Sequence, residues 1–433
     1  MRRFFIETYG CQMNKADSLS LSEKLRLSGY SEGRDPENSD IIIINTCSVR
    51  KTAENRIWGR LGYFKNLKRK KDIIVVVMGC MSQRIGDEIK NSGYGVDLVV
   101  GTFYKDKIPY LIENFNKKNG NVFTDEKELP FSYSSPEAGN PAKAFVTISS
   151  GCNNFCSYCV VPYLRGREIS RNSAEIIDDV VKLTQKGVIQ ATLLGQNVNS
   201  YGLDKGDITF PELLKKIARE TDIKWIKYLS SHPKDFTDEL IEVISSEEKV
   251  ANYLHLAVQS GSNRILEKMN RKYKIEDYID KIAKLKTLVP GLNLTTDIIV
   301  GFPGETSSDF QDTLNLMKTI EFDDAYMYKY NTRENTYSSD NFADDVSDEE
   351  KLERLQTIID LQIKIRKKKK TSRIGDIFEV IPERKSKNNQ NEILGLTKED
   401  LMIIYNSPDF EIGKIVKLKA VKLTGNSLFG ERV

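Results

Sequence analysis

Gly151-Cys152-Asn153-Asn154-Phe155-Cys156-Ser157-Tyr158-Cys159 places three cysteines at positions i, i+4 and i+7. A short loop with this spacing can wrap three thiolates round one corner of an iron–sulfur cube. A [4Fe–4S] cluster normally takes four thiolates, one per iron, so three cysteines leave one iron without a protein ligand. An open coordination position is where a metal site carries out chemistry. The stretch therefore predicts a catalytic iron–sulfur cluster.

Two other interpretations of this stretch remain open. A zinc site needs a fourth Cys or His nearby, but the preceding cysteine is Cys80 and the two histidines, His232 and His255, lie far downstream. A disulfide requires an oxidising compartment. The N-terminal residues Met1 to Phe5 show no apolar secretory segment, so we expect a cytoplasmic protein with reduced thiols.

The bulk composition predicts a soluble protein of two or three domains. The 433 residues exceed one ordinary core, and 39% are hydrophobic and 29% charged. No apolar run approaches the ~18 residues that span a bilayer, so we expect no membrane segment. The net charge is only +3, but residues 50–71 hold nine Lys or Arg and residues 362–373 hold seven. Two such runs favour a polyanionic partner over mere solvated helix ends.

The other three cysteines lie in the first hundred residues, where strand and helix patterns alternate. Cys11, Cys47 and Cys80 each come directly after an apolar strand pattern, in the turn before the next helix. In an open parallel sheet these turns all lie at the carboxyl edge, where ligands bind. With a flavodoxin-like strand order, the three thiolates converge and predict a second cluster. Structural cysteines buried in the sheet are the alternative.

The remaining chain predicts a linker, a second α/β domain and a small barrel. Residues 119–140 lack periodicity and are rich in Pro and Ser. Six strand–helix units then follow, which fits an open (β/α)6 barrel with the CxxxCxxC stretch in the loop after its first strand. Beyond a long polar helix, residues from Gly375 onward change to short β-rich pieces typical of a nucleic-acid-binding barrel. We therefore predict domains at 1–118, 141–370 and 371–433, joined by the linker 119–140.

Polar residues follow three of the central strands. Gly195-Gln196-Asn197 follows the second strand, Gln259-Ser260-Gly261-Ser262 the fourth, and Gly301-Phe302-Pro303-Gly304-Glu305-Thr306 the fifth. Each segment alone is an ordinary loop. Since all three share one rim with the cysteine loop, together they predict a cofactor cradle. The Lys-Ser/Thr ending of a P-loop is missing from all of them.

Four motifs carry a resemblance to a known family. They are Thr8-Tyr9-Gly10-Cys11-Gln12-Met13-Asn14, Asn45-Thr46-Cys47-Ser48-Val49-Arg50, Met78-Gly79-Cys80-Met81-Ser82-Gln83, and the stretch from Gly151 through Cys159-Val160-Val161-Pro162-Tyr163-Leu164-Arg165-Gly166. Along nearly its whole length the chain resembles the methylthiotransferases of the radical S-adenosylmethionine (SAM) superfamily. It is most similar to the tRNA 2-methylthio-N6-dimethylallyladenosine synthases (MiaB-type). The tail is similar to a TRAM domain, including Asn426-Ser427-Leu428-Phe429-Gly430-Glu431.

The resemblance implies a fold, two [4Fe–4S] clusters and SAM. It implies an α/β multidomain protein with an N-terminal flavodoxin-like sheet, a central open (β/α)6 radical SAM barrel and a C-terminal TRAM-like barrel. Cys152, Cys156 and Cys159 would hold the catalytic cluster that binds and reductively cleaves SAM. Cys11, Cys47 and Cys80 would hold a second cluster that carries sulfur. The product would be a methylthio group on carbon 2 of N6-isopentenyladenosine next to the anticodon.

Further residues and partners follow from the same resemblance. SAM contacts are expected from five residues: Tyr158, Gln196, Asn197, Gln259 and Ser260. Charge and position, not the resemblance, predict RNA contacts from three arginines after the cysteine loop and from two basic clusters, with a solvated surface as the alternative. They are Arg165, Arg167 and Arg171; Lys68, Arg69 and Lys70; Lys367, Lys368, Lys369 and Lys370. The expected partners are the anticodon stem-loop of a prenylated tRNA and a reducing donor such as flavodoxin or ferredoxin, with the enzyme a monomer and its sulfur source unspecified.

Two rival functions remain on sequence grounds, and one loop departs from the family. The rivals are a methylthiotransferase for threonylcarbamoyl-adenosine or a ribosomal-protein side chain, and a non-catalytic iron–sulfur RNA-binding protein. Relatives usually carry Arg-Pro-Gly-Thr after the sixth strand, where this chain has Arg333-Glu334-Asn335-Thr336. Losing the proline and the glycine removes one fixed and one permissive φ, which leaves the shape of that loop open.

Overall fold

The computed structural model describes residues 2–48, 51–116, 121–125, 140–204, 207–387 and 389–433, without the side chains of residues 51–53. The chain divides into two compact units. The first comprises residues 1–139, 145–153 and 160–171, and the second residues 140–144, 154–159 and 172–433. Most of the predicted linker 119–140 lies outside the described residues. The predicted domain boundaries rest on sequence character and stay a prediction.

A parallel sheet forms the centre of the first unit. Its strands are β1 (Arg3–Thr8), β2 (Ser31–Glu32), β3 (Ile41–Thr46), β4 (Ile74–Gly79), β5 (Leu98–Val100) and β6 (Val122–Phe123). They lie in the order β2-β1-β3-β4-β5-β6, with every neighbouring pair parallel. The predicted flavodoxin-like order is confirmed, and β6, inside the predicted linker, adds an edge strand.

Four consecutive isoleucines explain why β3 lies at the centre of this sheet. Ile41 to Ile44 are all fully buried. Because successive side chains of a strand point to opposite faces, Ile42 and Ile44 pack in one hydrophobic cluster and Ile41 and Ile43 in another. A strand buried on both faces requires helices on both faces of the sheet. The helices are α1 (Gln12–Leu27), α2 (Lys51–Lys68), α3 (Cys80–Asn91) and α4 (Ile108–Glu113).

Six strand–helix repeats follow, as predicted; most of them belong to the second unit, whereas residues 145–153 and 160–171 belong to the first. Strand β7 (Lys143–Thr147) begins the series, and a short ribbon of β8 (Ser149–Ser150) and β9 (Ile169–Ser170) follows it in the chain. The remaining strands are β10 (Gln190–Leu194), β11 (Trp225–Tyr228), β12 (Tyr253–His255), β13 (Asn293–Val300) and β14 (Asp324–Lys329). They form two sheets, β11-β10-β7 and β12-β13-β14, and parallel bridges from Ile226 to Val250 and from Ser231 to Leu256 connect the sheets. The predicted (β/α)6 architecture is confirmed.

Helices separate these strands at the predicted places. They are α5 (Val161–Arg165), α6 (Ser173–Gln185), α7 (Phe210–Glu220), α8 (Asp238–Ser246), α9 (Asn263–Lys268), α10 (Ile275–Leu288), α11 (Ser307–Ile320), α12 (Tyr337–Asn341) and α13 (Asp348–Thr371). The short helices α5, α9 and α12 were not predicted, since five or six residues carry no periodic pattern. Within the described part of the chain, no helix combines the length and apolar composition that crossing a bilayer requires.

A closed five-stranded barrel follows α13. Its strands are β15 (Ile377–Lys385), β16 (Glu392–Thr397), β17 (Met402–Asn406), β18 (Val416–Thr424) and β19 (Ser427–Arg432), closed in the order β15-β16-β17-β19-β18. Alternating residues such as Phe378, Val380, Ile403 and Leu418 fill its interior. The predicted small barrel is present, and its likeness to a TRAM domain remains a resemblance.

This barrel packs against the amino-terminal ends of the parallel strands. Ile381 of β15 joins Ala142 and Trp225 in one buried cluster. The side chain of Asn293, the first residue of β13, donates a 2.6 Å hydrogen bond to the carbonyl of Glu399. Lys227 of β11 is buried, forms an ion pair with Asp400 and lies 4.5 Å from the ring centre of Tyr253. The C-terminal barrel therefore covers the edge opposite the carboxyl-end loops.

Removing either partner of the Lys227–Asp400 ion pair should change the stability of the fold by a different amount. Burial lowers the pKa of Lys227, and Asp400 opposes that shift by stabilising the charged form. Asp400→Asn leaves a buried cation without its partner and should cost about 2–4 kcal/mol, whereas Lys227→Met removes both the charge and its desolvation and should change stability by less than ~1 kcal/mol. Denaturant midpoints of the full chain measure both effects. The double variant should recover most of the Asp400→Asn loss, and an Asp400→Asn variant as stable as the parent would contradict the argument.

Candidate functional site

Cys11, Cys47 and Cys80 lie at the carboxyl ends of β1, β3 and β4, in the first unit. Cys11 immediately precedes α1, Cys47 follows β3 directly, and Cys80 is the first residue of α3. Cys11 is exposed while Cys47 and Cys80 are buried. The three turns share the carboxyl edge of the sheet, and Gly10 lies beside the Cβ of Cys47. That the three cysteines hold one cluster stays a prediction.

A buried asparagine pair fixes the turns that carry Cys11 and Cys47. The side-chain amide of Asn14 donates to the carbonyl oxygens of Tyr9 at 3.1 Å and Thr46 at 2.8 Å, and to the side-chain oxygen of Asn45 at 3.1 Å. Asn45 donates back to the carbonyl of Asn14 at 2.8 Å. The thiol of Cys11 donates to the side-chain oxygen of Asn14 at 3.4 Å. These contacts explain why Asn appears in both motifs, and buried satisfied networks of this kind fix one geometry.

Two glycines allow the cysteine turns to approach one another. Gly10 and Gly79 have φ of +126° and +100°. A Cβ on Gly10 would lie 2.7 Å from the Cβ of Cys47, and one on Gly79 would lie 2.5 Å from the carbonyl oxygen of Thr46. Any other residue at either position would force the cysteine turns apart.

The CxxxCxxC loop contributes to both units. Cys152 belongs to the first unit, where its N–H donates to the carbonyl of Gly166 at 3.2 Å. Cys156 and Cys159 belong to the second unit, and Ser157 between them anchors the loop to the end of α9. The Ser157 hydroxyl donates to the carbonyl of Lys268 at 2.8 Å, and its N–H donates to that of Met269 at 3.1 Å.

Cys156 receives two side-chain donors that the sequence did not indicate. Arg271 is buried, and its Nη1 lies 3.4 Å from the Cys156 Sγ. His232 Nε2 lies 3.9 Å from the same sulfur. Because His232 Nδ1 accepts the N–H of Lys234 at 3.1 Å, a neutral imidazole carries its proton on Nε2, toward Cys156. Burial lowers the pKa of His232, with Arg271 and Lys234 adding to the effect, so the ring is neutral.

Left-handed backbone positions concentrate around this loop. Phe155, Ser230, Gln259, Asn270 and Lys272 all have positive φ, and Asn270 and Lys272 flank Arg271. The side chain of Asn270 donates to the carbonyl of Phe155 at 2.8 Å, which joins two of these positions. Such conformations cost ~1–3 kcal/mol each in non-glycine residues and concentrate at functional sites.

Two of the predicted SAM residues, Gln259 and Tyr158, have surroundings that fit a cofactor. Gln259 is buried, and its side-chain oxygen Oε1 has no hydrogen-bond partner among the described residues. Tyr158 packs against Ile265, Met269 and Phe302, and burial raises the pKa of its phenol, so the ring is neutral beside Cys156 and Cys159. An apolar ring and an orphaned buried amide oxygen fit a nucleoside-containing cofactor with an amino group.

The other predicted SAM residues are engaged within the protein. Asn197 donates to the Asp235 carboxylate at 2.7 Å and accepts the N–H of His232 at 3.1 Å, so it positions the His232 loop. Ser260 lies 3.5 Å from the hydroxyl of Thr313 and accepts the N–H of Ser262 at 3.2 Å. Gln196 is half-buried two residues beyond β10. Direct SAM contact by Asn197, Ser260 and Gln196 stays a prediction.

The segment Gly301 to Thr306 turns toward α13. Glu305 accepts the N–H of Gly301 and a hydrogen bond from Arg354 at 2.7 Å, both within a buried environment. Thr306 caps α11. One carboxylate oxygen of Glu305, Oε2, therefore stabilises the fold, while Oε1 is buried without a hydrogen-bond partner among the described residues. Contact of this segment with the cofactor stays a prediction.

The loop Arg333-Glu334-Asn335-Thr336, which differs from the Arg-Pro-Gly-Thr of relatives, contains one residue in the left-handed conformation that glycine favours. Asn335 has φ +63°, a conformation that Asn tolerates better than other non-glycine residues. The Thr336 hydroxyl donates to the carbonyl of Arg333 at 2.7 Å and caps α12. Asparagine thus takes over the permissive φ that the missing glycine would supply.

The predicted RNA-contacting cations differ sharply in exposure. Arg165 and Arg171 are buried; Arg165 pairs with Asp17, and Arg171 donates to the carbonyl of Thr147 at 3.0 Å. Buried side chains that are already paired cannot reach a phosphate, so the predicted RNA contact of these two arginines does not fit the structure. Arg167, Arg69 and Lys70 are exposed.

Acidic neighbours partly neutralise the other predicted cations. Lys68 forms an ion pair with Asp97. At the end of α13, Lys368 lies 2.6 Å from Glu321, Lys369 lies 3.4 Å from Asp323, and Lys370 donates to the carbonyl of Asn426 at 2.6 Å. Lys367 is exposed. These side chains stabilise the end of α13 as well as offering positive charge.

The donor sets fit iron–sulfur clusters. Each set supplies three thiols from loops whose geometry is fixed by buried hydrogen bonds, and each includes a cysteine beside a buried guanidinium. Cys156 accepts a hydrogen bond from Arg271, and Cys80 interacts electrostatically with Arg165. Among the described residues, no three His, Cys, Asp or Glu side chains are arranged to hold a single metal ion. A [4Fe–4S] cluster takes one thiolate per iron, so its cysteines need not meet at one point.

The (β/α)6 unit with the CxxxCxxC loop, joined to a flavodoxin-like unit with three further cysteines, defines a radical SAM protein. The family described as the radical SAM superfamily matches residues 146–317, and the one described as uncharacterized protein family UPF0004 matches residues 3–101. The chain is 44% identical to the tRNA-2-methylthio-N(6)-dimethylallyladenosine synthase of Treponema denticola, covering 98% of each chain, and 42% identical to that of Parabacteroides distasonis, covering 100% of this chain and 96% of the relative. The chain belongs to the tRNA-2-methylthio-N(6)-dimethylallyladenosine synthase family.

Solved structures share the fold at low sequence identity. The radical S-adenosylmethionine methyltransferase TsrM from Kitasatospora setae gives a TM-score of 0.57 at 14% identity, covering 76% of this chain and 73% of that one. The cobalamin-dependent S-adenosylmethionine radical enzyme OxsB gives 0.51 at 13% identity, covering 78% and 55%. Identities this low show the fold alone.

Proposed function

We propose that this chain adds a methylthio group to carbon 2 of N6-(dimethylallyl)adenosine in tRNA, next to the anticodon. The observation that carries the proposal is the presence of both three-cysteine sets, one on a single loop and the other on three turns at the carboxyl ends of parallel strands. Relatives named for this synthase activity are 42–44% identical over nearly the whole chain. The cofactors are two [4Fe–4S] clusters and SAM.

We assign Cys152, Cys156 and Cys159 to the SAM-binding cluster and Cys11, Cys47 and Cys80 to a second one, called the auxiliary cluster below. When bound, the first supplies the electron that cleaves SAM, and the second supplies the sulfur. The chain's own side chains orient these groups. Arg271 and His232 donate to the Cys156 sulfur, and the open Oε1 of Gln259 would accept a hydrogen bond from a bound cofactor.

The packing around Tyr158 keeps this region dry. Tyr158 lies against Met269, Phe302 and Tyr330, and the phenol of Tyr330 lies 3.0 Å from the buried hydroxyl of Ser338. A water-excluded site strengthens each hydrogen bond made to the cofactor and protects a reactive species from side reactions. The target adenine must leave its stack to enter, as is usual when proteins read single-stranded loops.

The finer partners belong to the same proposal. We expect the anticodon stem-loop of a prenylated tRNA as substrate, a low-potential donor such as flavodoxin or ferredoxin, a cytoplasmic location and a monomer. The sulfur source is left open. The three predicted domains, 1–118, 141–370 and 371–433, correspond to sulfur supply, SAM chemistry and RNA binding in this scheme.

Mass spectrometry of tRNA nucleosides tests the proposed function. Purified, reconstituted enzyme with SAM and a reductant should convert prenylated tRNA to the methylthio nucleoside and leave unprenylated tRNA unchanged. Methylthiolation of threonylcarbamoyl-adenosine or of a ribosomal protein instead would show that the proposed substrate is wrong. Absence of SAM cleavage in the reduced, fully loaded protein would favour a non-catalytic RNA-binding role.

Exposure of the cations predicts which of them bind tRNA. Arg69 and Lys70 are exposed at the end of α2, whereas the neighbouring Lys68 is paired with Asp97. Replacing Arg69 and Lys70 by Ala should weaken tRNA binding and reduce the slope of log affinity against log salt by roughly one unit per lost phosphate contact. Lys367→Ala should act in the same way at the end of α13, and filter binding across a salt series measures both.

Lys68→Ala is the matched control for this prediction. It removes the same charge from the same segment, but a lysine engaged with Asp97 and the carbonyl of Gly95 at 2.9 Å contributes to stability instead. We expect the salt slope of Lys68→Ala to equal that of the parent. If Lys68→Ala flattens the slope as much as the Arg69 and Lys70 double variant, exposure does not select the RNA contacts.

A further inference from the structure

Arg165 lies at the end of a short helix that begins just after the CxxxCxxC loop. Its guanidinium is buried in the first unit, and Nη2 lies 3.0 Å from Oδ2 of Asp17 in α1. Lys105 pairs with the other carboxylate oxygen of the buried Asp17. The buried Asp17 carboxylate lies between these two cations and fixes the Arg165 guanidinium, since moving it would leave buried charges without partners.

The same guanidinium lies near Cys80. Arg165 interacts electrostatically with the sulfurs of Cys80 and Cys11. Cys80 also packs against Val160 and Leu164, the residue before α5 and the residue before Arg165. The hydroxyl of Thr102 donates to the carbonyl of Leu164 and ties α5 to the loop after β5. The packing of Val160 and Leu164 on Cys80 and the bond from Thr102 therefore place Arg165 beside this cysteine.

The group of Arg165, Lys105 and Asp17 carries a net positive charge. Arg165 and Lys105 carry two positive charges and Asp17 one negative charge. An oxidised [4Fe–4S] core carries two positive charges, so three thiolates make the loaded site negative overall. In a buried environment the remaining cation acts with little screening. Net charge and hydrogen bonds to the sulfurs are two of the factors that set the reduction potential of a cluster.

We infer that Arg165, held by Asp17, is a positioning residue for the auxiliary cluster: its guanidinium orients the Cys80 thiolate and raises the cluster's reduction potential. The inference rests on the auxiliary cluster of the proposed function. It gives Arg165 a role in place of the RNA contact predicted from sequence. Reduction adds an electron to an already negative site, so a fixed cation favours the reduced state.

Redox titration of the full-length chain tests this inference. The Cys152, Cys156 and Cys159 to Ala background leaves the auxiliary cluster alone, and electron paramagnetic resonance follows its stepwise reduction by dithionite. Arg165→Met should shift the midpoint potential to a more negative value, and Asp17→Asn, which removes the opposing carboxylate charge, should shift it to a more positive value. Arg165→Lys keeps the charge without the forked donor and should lie between the parent and Arg165→Met.

Lys107→Met is the matched control. Lys107 is exposed and lies two residues after Lys105, so its charge is screened and its removal should leave the midpoint unchanged. Iron content is measured for every variant. Opposite shifts in Arg165→Met and Asp17→Asn support the inference, because a merely structural role would move both in one direction or only lower the iron content.

Each remaining outcome overturns the inference. An unchanged midpoint in Arg165→Met at full iron content does so directly. If Arg165→Met loses its iron, an unchanged or more negative midpoint in Asp17→Asn overturns it instead. If the Cys152, Cys156 and Cys159 to Ala variant binds no iron, the auxiliary cluster and the proposed function are both wrong. If that variant binds iron but the further substitutions leave its midpoint potential unchanged, only the role of Arg165 is wrong.

Discussion

Replacing Cys152, Cys156 and Cys159 together by Ala is expected to abolish 5′-deoxyadenosine formation and to remove about half of the bound iron, since each three-cysteine set takes one four-iron cluster. The three thiols share one loop, and its anchors at Ser157 and Asn154 do not involve the cysteine side chains. The loop should therefore keep its fold while losing its ligands. Iron analysis and product chromatography after reduction with dithionite measure the two losses.

The rate of 5′-deoxyadenosine formation should fall by orders of magnitude, while the free energy of unfolding should change little. The chemistry depends entirely on the bound cofactor, whereas three cysteine-to-alanine changes remove little buried area. Formation of 5′-deoxyadenosine at the parental rate in the triple variant would refute the assignment. Unchanged iron content with lost activity would place the cluster elsewhere and leave the cysteines a different role.

The complementary variant, with Cys11, Cys47 and Cys80 replaced by Ala, should still form 5′-deoxyadenosine but no methylthio nucleoside. These cysteines lie on three turns of the flavodoxin-like sheet, and the Asn14–Asn45 pair that fixes two of these turns bonds to backbone carbonyls as well as to Cys11. The sheet should therefore survive the change. Nucleoside mass spectrometry and SAM-cleavage assays on the same preparation separate the two activities.

Three results would contradict the separate role of the auxiliary cluster. Full methylthiolation by the variant would show that the sulfur does not pass through this site. Iron content equal to the parent's would show that these cysteines hold no cluster. Loss of 5′-deoxyadenosine as well would show that the two cysteine sets do not act separately.

Much of the fold could be predicted because the apolar runs of the strands and the periodic patterns of the longer helices span many residues. The isoleucines of β3 and the apolar run of β4 predicted buried parallel strands, and the cysteines directly after them predicted a shared edge. The (β/α)6 repeats were recognisable for the same reason. The short helices α5, α9 and α12 span too few residues to show a period.

The surroundings of the cysteines were less accessible from sequence. Arg271 reaches Cys156 across 115 positions, and Asp17 reaches Arg165 across 148. No local pattern encodes such contacts, since they depend on how distant elements pack. The local feature that marks Arg271 is the left-handed backbone of the residue on each side of it, Asn270 and Lys272. The sequence Asn-Arg-Lys does not predict that conformation. Arg165 looked like an RNA contact because a charged residue after a loop is usually exposed.

The apolar strands that end at the auxiliary cysteines have a consequence for cells that are short of iron. Ile41 to Ile44 and Ile74 to Met78 are uncharged, β-prone and free of proline, which is the composition of segments that aggregate when exposed. A bound cluster stabilises the folded state by mass action, because the unfolded chain does not assemble it. Under iron starvation this stabilisation is lost and both segments are exposed more often. The enzyme's supply of soluble protein should then fall together with its cofactor, before any change in its synthesis.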